Sequence, residues 1–116
     1  MYPKPLFLQG MFSFEGAGLN NPTLLGPGAA YKVPRDKRAQ VIYFRAGNSA
    51  PALICVTLLR DDKVMRLFPI GANQSVHVSL AMTEDVFPES QLELTVSAPR
   101  GVSGMVIVDV GLFEIA

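Results

Sequence analysis

Ser75-Val76-His77-Val78-Ser79-Leu80-Ala81, Gln91-Leu92-Glu93-Leu94-Thr95-Val96-Ser97-Ala98 and Gly104-Met105-Val106-Ile107-Val108-Asp109-Val110-Gly111-Leu112-Phe113-Glu114-Ile115 decide the fold. In each, apolar and polar side chains alternate with a period of two, which places successive residues on opposite faces of an extended chain. These are strands. The third is apolar on both faces, with Val106, Val108, Val110 and Leu112 on one and Met105, Ile107, Phe113 and Ile115 on the other. Such a strand belongs at the centre of a sheet or at a subunit contact.

The same pattern extends toward the N-terminus. Gln40–Ala46 is an apolar and aromatic run stopped by Gly47-Asn48-Ser49, and Ala52–Arg60 and Lys63–Phe68 are separated only by Asp61-Asp62, a hairpin signature. Leu6–Phe14 alternates well enough for a first strand, with Gly10 as a bulge, and Ala30–Val33 is a short edge strand ended by Pro34. Residues Gly16–Gly28 form a long loop rich in glycine, asparagine and proline, and Met82–Ser90 is a crossing loop without periodicity. About seven or eight strands with regular turn signals and no amphipathic helix predict an all-β fold, an antiparallel β-sandwich or jelly roll. At 116 residues the chain is one domain spanning 1–116.

Composition narrows the function. Ten Lys and Arg balance ten Asp and Glu, and the one basic cluster, Lys32, Arg35, Lys37 and Arg38, is broken by Pro34 and Asp36, so nucleic acid is not the expected partner. Only 17% of residues are charged and mean hydropathy is +0.29, which predicts apolar surface covered by self-association into a homo-oligomer. The single Cys55 excludes an internal disulfide and reads as a small buried hydrophobe. No run reaches the ~20 apolar residues of a membrane span. Residues Met1–Gly10 lack the features of a secretory leader, so the expected location is the cytoplasm, or outside the cell if a leader was removed before numbering began.

No recognisable catalytic arrangement is present. Gly101-Val102-Ser103-Gly104 misses the spacing of a nucleophile elbow, and the glycines at 16, 18, 26 and 28 form no phosphate-binding loop. The only histidine, His77, lies on the polar face of its strand with Ser75 and Ser79. A zinc site would have to borrow carboxylates, and an enzyme would need His77 joined by Glu84 or Asp85. Asp109 is the most pointed residue: a carboxylate set among valines and isoleucine needs a cation or several hydrogen-bond donors.

The strand around Asp109 resembles the last strand of galactose-binding-like jelly-roll carbohydrate-binding modules, an apolar run, an acid and a short polar end. Gly10-Met11-Phe12-Ser13-Phe14-Glu15-Gly16 is similar to the Gly-x-Phe-Glu-like opening of the same class. The resemblance implies a carbohydrate ligand and a structural calcium shared by Glu15 and Asp109. The second acid of the usual Asp-Asp pair is replaced by Val110, and the chain holds no tryptophan to stack on a sugar ring, leaving Tyr2, Tyr31, Tyr43 and phenylalanines.

The expected function is a non-enzymatic module that binds a ligand or partner and acts as an oligomer, with carbohydrate as one ligand class and no cofactor beyond calcium. Loops at one end of the sandwich are expected to supply Arg45, Asn48, Glu84, Asp85 and Glu89, with Tyr31, Tyr43 and His77 as further contacts. The alternative is a structural or adaptor subunit of a shell, appendage or signalling assembly, whose apolar strand faces make protein–protein contacts.

Overall fold

In a computed structural model, residues 3–80 and 85–116 are described. They form ten strands in chain order: β1 (Lys4–Glu15), β2 (Thr23–Leu24), β3 (Ala30–Lys32), β4 (Arg38–Asn48), β5 (Ile54–Arg60), β6 (Lys63–Ile70), β7 (Ser75–Ser79), β8 (Asp85–Val86), β9 (Gln91–Ser97) and β10 (Ser103–Ile115). Sheet A has the order β1-β10-β4-β7, with β8 also on β4; sheet B has the order β2-β9-β5-β6, with β3 also on β9. Every pairing is antiparallel. The chain crosses repeatedly between the sheets, with β5 and β6 staying together as a hairpin, so that β1 and β10 lie side by side, which is the winding of a jelly roll. The count exceeds the expected seven or eight because β2 and β8 are two-residue pieces inside segments read as loops.

Alternation explains the packing. Val106, Val108, Val110 and Leu112 of β10 point inward with Val41, Phe44 and Ala46 of β4, against Leu92, Leu94 and Val96 of β9 and Ile54, Val56 and Leu58 of β5. Phe44 of sheet A stacks on Phe68 of sheet B with ring centroids 3.9 Å apart, tying the two layers directly. As its two apolar faces predict, β10 is central, paired with β1 on one side and β4 on the other.

Three local expectations are corrected. Gly10 is not a bulge: the β1–β10 register runs unbroken from Lys4 opposite Glu114 to Glu15 opposite Ser103, and the missing side chain at Gly10 instead leaves room for the Phe12 ring. The irregularity in sheet A lies on β4, where Tyr43 pairs with Gly111 and Val41 with Leu112, so that Ile42 is the extra residue. Residues 16–28 hold more than a loop: the expected docking of its leucines is seen at Leu25, and β2 and a 3₁₀ turn (Pro27–Ala29) also dock on β9 and β1, with Gly18 N–H donating to the Ala98 carbonyl at 2.9 Å. Cys55 is half-buried on the outward phase of β5, beside Ser97 and Pro69, and not in the core.

The Asp61-Asp62 hairpin is present. Both residues take positive φ, 51° and 66°, as a two-residue turn with the twist of its strands requires. Side-chain help offsets the cost, since Asp61 Oδ1 accepts the Gln91 N–H at 2.8 Å.

Asn48 closes the end of β4. Its side chain is 5% exposed; Nδ2 donates to the carbonyls of Ala52 and Gly71, each at 3.0 Å, and Oδ1 accepts the Ala50 N–H at 2.8 Å. Removing it orphans buried backbone groups, each costing about 1–3 kcal/mol. Asn48→Ala is therefore expected to lower unfolding stability by about 2–4 kcal/mol in urea titration. Asn48→Asp, which keeps the acceptor and loses both donors, should fall in the same range.

Candidate functional site

The outward phase of sheet A carries a row of polar side chains, one from each principal strand. The registers set Gln9 of β1 opposite Asp109 of β10, Asp109 opposite Arg45 of β4, and Arg45 opposite His77 of β7. Because Val108 and Val110 point inward, Asp109 between them must point outward, and the same alternation turns Arg45 and His77 to this face.

Asp109 obtains the donors its surroundings demand. Gln9 Nε2 donates to Oδ1 at 3.0 Å, Tyr43 Oη donates to Oδ1 at 3.2 Å, and the Arg45 guanidinium binds Oδ2 through Nη2 and, at 3.2 Å, through Nε. Partial burial pushes the carboxyl pKa up, but the hydrogen bonds from Arg45, Gln9 and Tyr43 outweigh it and hold the value below 3.8. Burial and the bond to Asp109 together raise the Tyr43 phenol. Arg45 also lies over the Tyr43 ring, 5.6 Å from its centroid, and His77 meets that ring edge-on at 5.9 Å. Gly111 makes this possible: a Cβ there would stand 2.0 Å from Cε2 of Tyr43.

Beside the row is an open trough of about 590 Å³ over Gly47, walled by Arg45, Asp109, His77, Ser75 and Ile107. It runs into a second hollow of about 310 Å³ that ends at Ser49, Asn73 and Gln74. Exposed apolar side chains surround these hollows on the same face: Phe7 and Met11 from β1, and Met105, Ile107 and Phe113 from β10.

Of the residues expected to bind ligand, the fold gathers Tyr43, Arg45 and His77, and joins to them Asp109, which was expected to hold metal. The others lie apart. Tyr31 of β3 donates to Glu114 of β10 at 2.5 Å, a bond between sheets, and burial followed by that bond raises its phenol strongly. Asn48 is committed to backbone. Asp85 accepts from Gln40 and Arg38, each at 2.7 Å, and its carboxyl is held low first by the Gln40 bond. Glu89, at a φ of 69°, is an exposed ion-pair partner of Arg35 at 3.6 Å. Glu84 and Tyr2 lie outside the described residues.

Glu15 and Asp109 do not fit a shared calcium. Glu15 stands opposite Ser103, six positions along β10 from Asp109, a separation of about 20 Å at ~3.4 Å per residue. The oxygens of Asp109 are already engaged by Arg45, Gln9 and Tyr43. Among the described residues no three His, Cys, Asp or Glu side chains are grouped to hold a metal ion.

Gln9 and Gly47 are site residues that sequence reasoning missed. Gln9 carried a signal, as a polar residue in the outward phase of an apolar strand. Gly47, read only as a strand stop, becomes the trough floor through its neighbours Ile107 and Ser75 in the paired strands.

No family model matches the sequence, and no curated protein matches it. Among solved structures the chain is similar to the insecticidal delta-endotoxin Cry8Ea1 from Bacillus thuringiensis, with a TM-score of 0.52 and 12% identity over 91% of this chain. The chain spans 19% of that toxin's length. It is also similar to the CBM36-1 domain of a multidomain xylanase from the hindgut metagenome of Trinervitermes trinervoides, with a TM-score of 0.49 and 14% identity over 97% of this chain and 98% of the other. At 12% identity the likeness to the toxin is one of fold.

The Asp109 cluster has a signature in acid. Its carboxyl titrates lower in the folded chain than in the unfolded one, so its stabilisation is complete above 3.8 and is lost as pH falls through the depressed value. Urea midpoints measured from pH 5.5 downward should therefore decline more steeply for the wild type than for Asp109→Asn. Equal slopes would mean that the carboxylate is not held by its neighbours.

Proposed function

We propose that this chain is a non-catalytic binding module whose working surface is the outer face of sheet A, and that a macromolecule lies across that face. The observation that carries the reading is the position of five exposed large apolar side chains, Phe7, Met11, Met105, Ile107 and Phe113, on one face around a polar row. A small-ligand site is concave and encloses its ligand; here the hollows are open and lie on a sheet face. Apolar contacts around specific polar pairs suit an interface between proteins.

The charges also favour binding over turnover. Arg45 and Asp109 neutralise each other, and among the described residues no hydrogen bond joins His77 to a serine or a carboxylate. A general base needs such an arrangement with its nucleophile or substrate.

Carbohydrate is the second reading, favoured by one observation. The exposed rings of Phe7 and Phe113 line a small apolar hollow with Tyr43, next to the Gln9, Asp109 and Arg45 groups that could hydrogen-bond sugar hydroxyls. A melting scan, with sedimentation run in parallel to read association, of the wild type, Ile107→Asp and Leu67→Asp against mono- and oligosaccharides, calcium and a chelator separates the two. Leu67 is exposed on the outer face of sheet B and serves as the control. A ligand at a hundredfold excess over its Kd adds about 2.7 kcal/mol of stability, about 10 °C for a domain of this size. The expected result is no shift with any sugar, together with a loss of association in Ile107→Asp alone. A sugar-dependent rise in the wild type and Leu67→Asp that disappears in Ile107→Asp would make carbohydrate the ligand of this face. Association that survives in Ile107→Asp and fails in Leu67→Asp would move the working surface to sheet B.

A further inference from the structure

We propose that the occupant of this face is a second copy of the same chain, packed sheet A to sheet A about a twofold axis that runs along the strands between β10 and β4. The inference rests on the reading of the outer face of sheet A as the working surface, and it names the partner.

The face is self-complementary under that operation. A twofold axis there lays β10 of one copy on β4 of the other and β1 on β7. In the central row Asp109 then faces Arg45 of the other copy, Arg45 faces its Asp109, and Gln9 faces its His77. In the adjoining row Ile107, 51% exposed, stands over Gly47 of the other copy, and Met11, 69% exposed, stands over its Ser75. On the other side of the centre Phe7 stands over Ser79. Ile107, Met11 and Phe7 each meet a small residue, and the trough of about 590 Å³ above Gly47 is the hollow that receives Ile107. Tyr43 already covers Gly111 of its own chain, which levels that row.

Size and access agree. β1, β10, β4 and β7 contain 12, 13, 11 and 5 residues. At ~3.4 Å per residue and ~4.8 Å between strands they cover roughly 670 Å² before side-chain relief is counted, near the ~800 Å² per partner of a standard interface. Twisted sheets pack face to face with their mean strand directions within about 30° of each other, and an axis along the strands, which keeps the two copies' strands parallel, meets this. Pairing through the free edge of β1 is obstructed in its middle, where the 3₁₀ turn places Gly28 beside the Gln9 carbonyl; a Cβ on Gly28 would lie 3.5 Å from that oxygen.

The test uses charge reversal in separate chains. Arg45→Asp makes the central row doubly acidic, and Asp109→Arg makes it doubly basic. By sedimentation the wild type is expected to be a dimer, each variant alone a monomer with association weakened about a hundredfold, and their equimolar mixture a heterodimer with affinity restored to within about tenfold. Gly47→Leu guards against variants that fail to fold, because a Cβ at Gly47 meets nothing closer than Ser75 Cβ at 3.9 Å. It fills the hollow and should give a folded monomer. A monomeric wild type, a mixture that stays monomeric, or a Gly47→Leu dimer of unchanged affinity overturns the proposal. If the wild type is monomeric while Ile107→Asp abolishes a sugar-induced melting shift, the second copy is lost as partner and the working surface stands.

Discussion

A carboxylate in the most apolar strand of the chain has to be satisfied by the strands beside it, and much of sheet A follows from that. Asp109 is bound from β1 by Gln9 and from β4 by Arg45 and Tyr43. A slip of one residue between these strands would turn the charge toward Val41, Phe44 and Leu94 in the core, where nothing could pair with it. The apolar faces of β10 would permit several registers; the charge permits one. The ion pair is exposed on the Arg45 side, so its worth lies more in specifying the pairing than in raw stability.

Sheet B is fixed by different means. Asp61 and Asp62 turn the β5–β6 hairpin with positive φ at both residues, and Phe68 on that hairpin stacks against Phe44 on sheet A. Asn48 holds the segments after β4 and β6 together through three backbone groups. The bulge at Ile42 sits between Val41, which points inward, and Tyr43, which points outward, and so lets β4 fill the core at one end and present Tyr43 and Arg45 on the surface.

What could be read from sequence was whatever depends on neighbours along the chain. Alternation located the principal strands, the two apolar faces of Gly104–Ile115 placed that strand centrally, and the isolation of Asp109 among valines showed that it needed donors. What could not be read depends on register between distant strands. The resemblance to jelly-roll carbohydrate-binding modules made Glu15 and Asp109 calcium co-ligands, and only the pairing with Ser103 and Gln9 shows how far apart they stand. Gly10 and Ile42 illustrate the same limit, since a glycine is the commoner signal of a bulge while the bulge of sheet A falls in an apolar run with no mark of its own. Asn48 read as a loop donor because burial after a strand end is invisible until the next turn folds over it.

The placement of β10 also has a consequence for synthesis. It separates β1 from β4, yet it follows every other described strand. A ribosome adds about 5–20 residues each second, so for several seconds the nascent chain carries β1 and β4 with no strand between them. During that interval β5, β6 and β9 can pair, while half of the sandwich waits with open edges. The polypeptide is therefore most vulnerable to adhesion and proteolysis just before β10 emerges, and chaperone dependence should be governed by the codons of β10 more than by those of any other described strand.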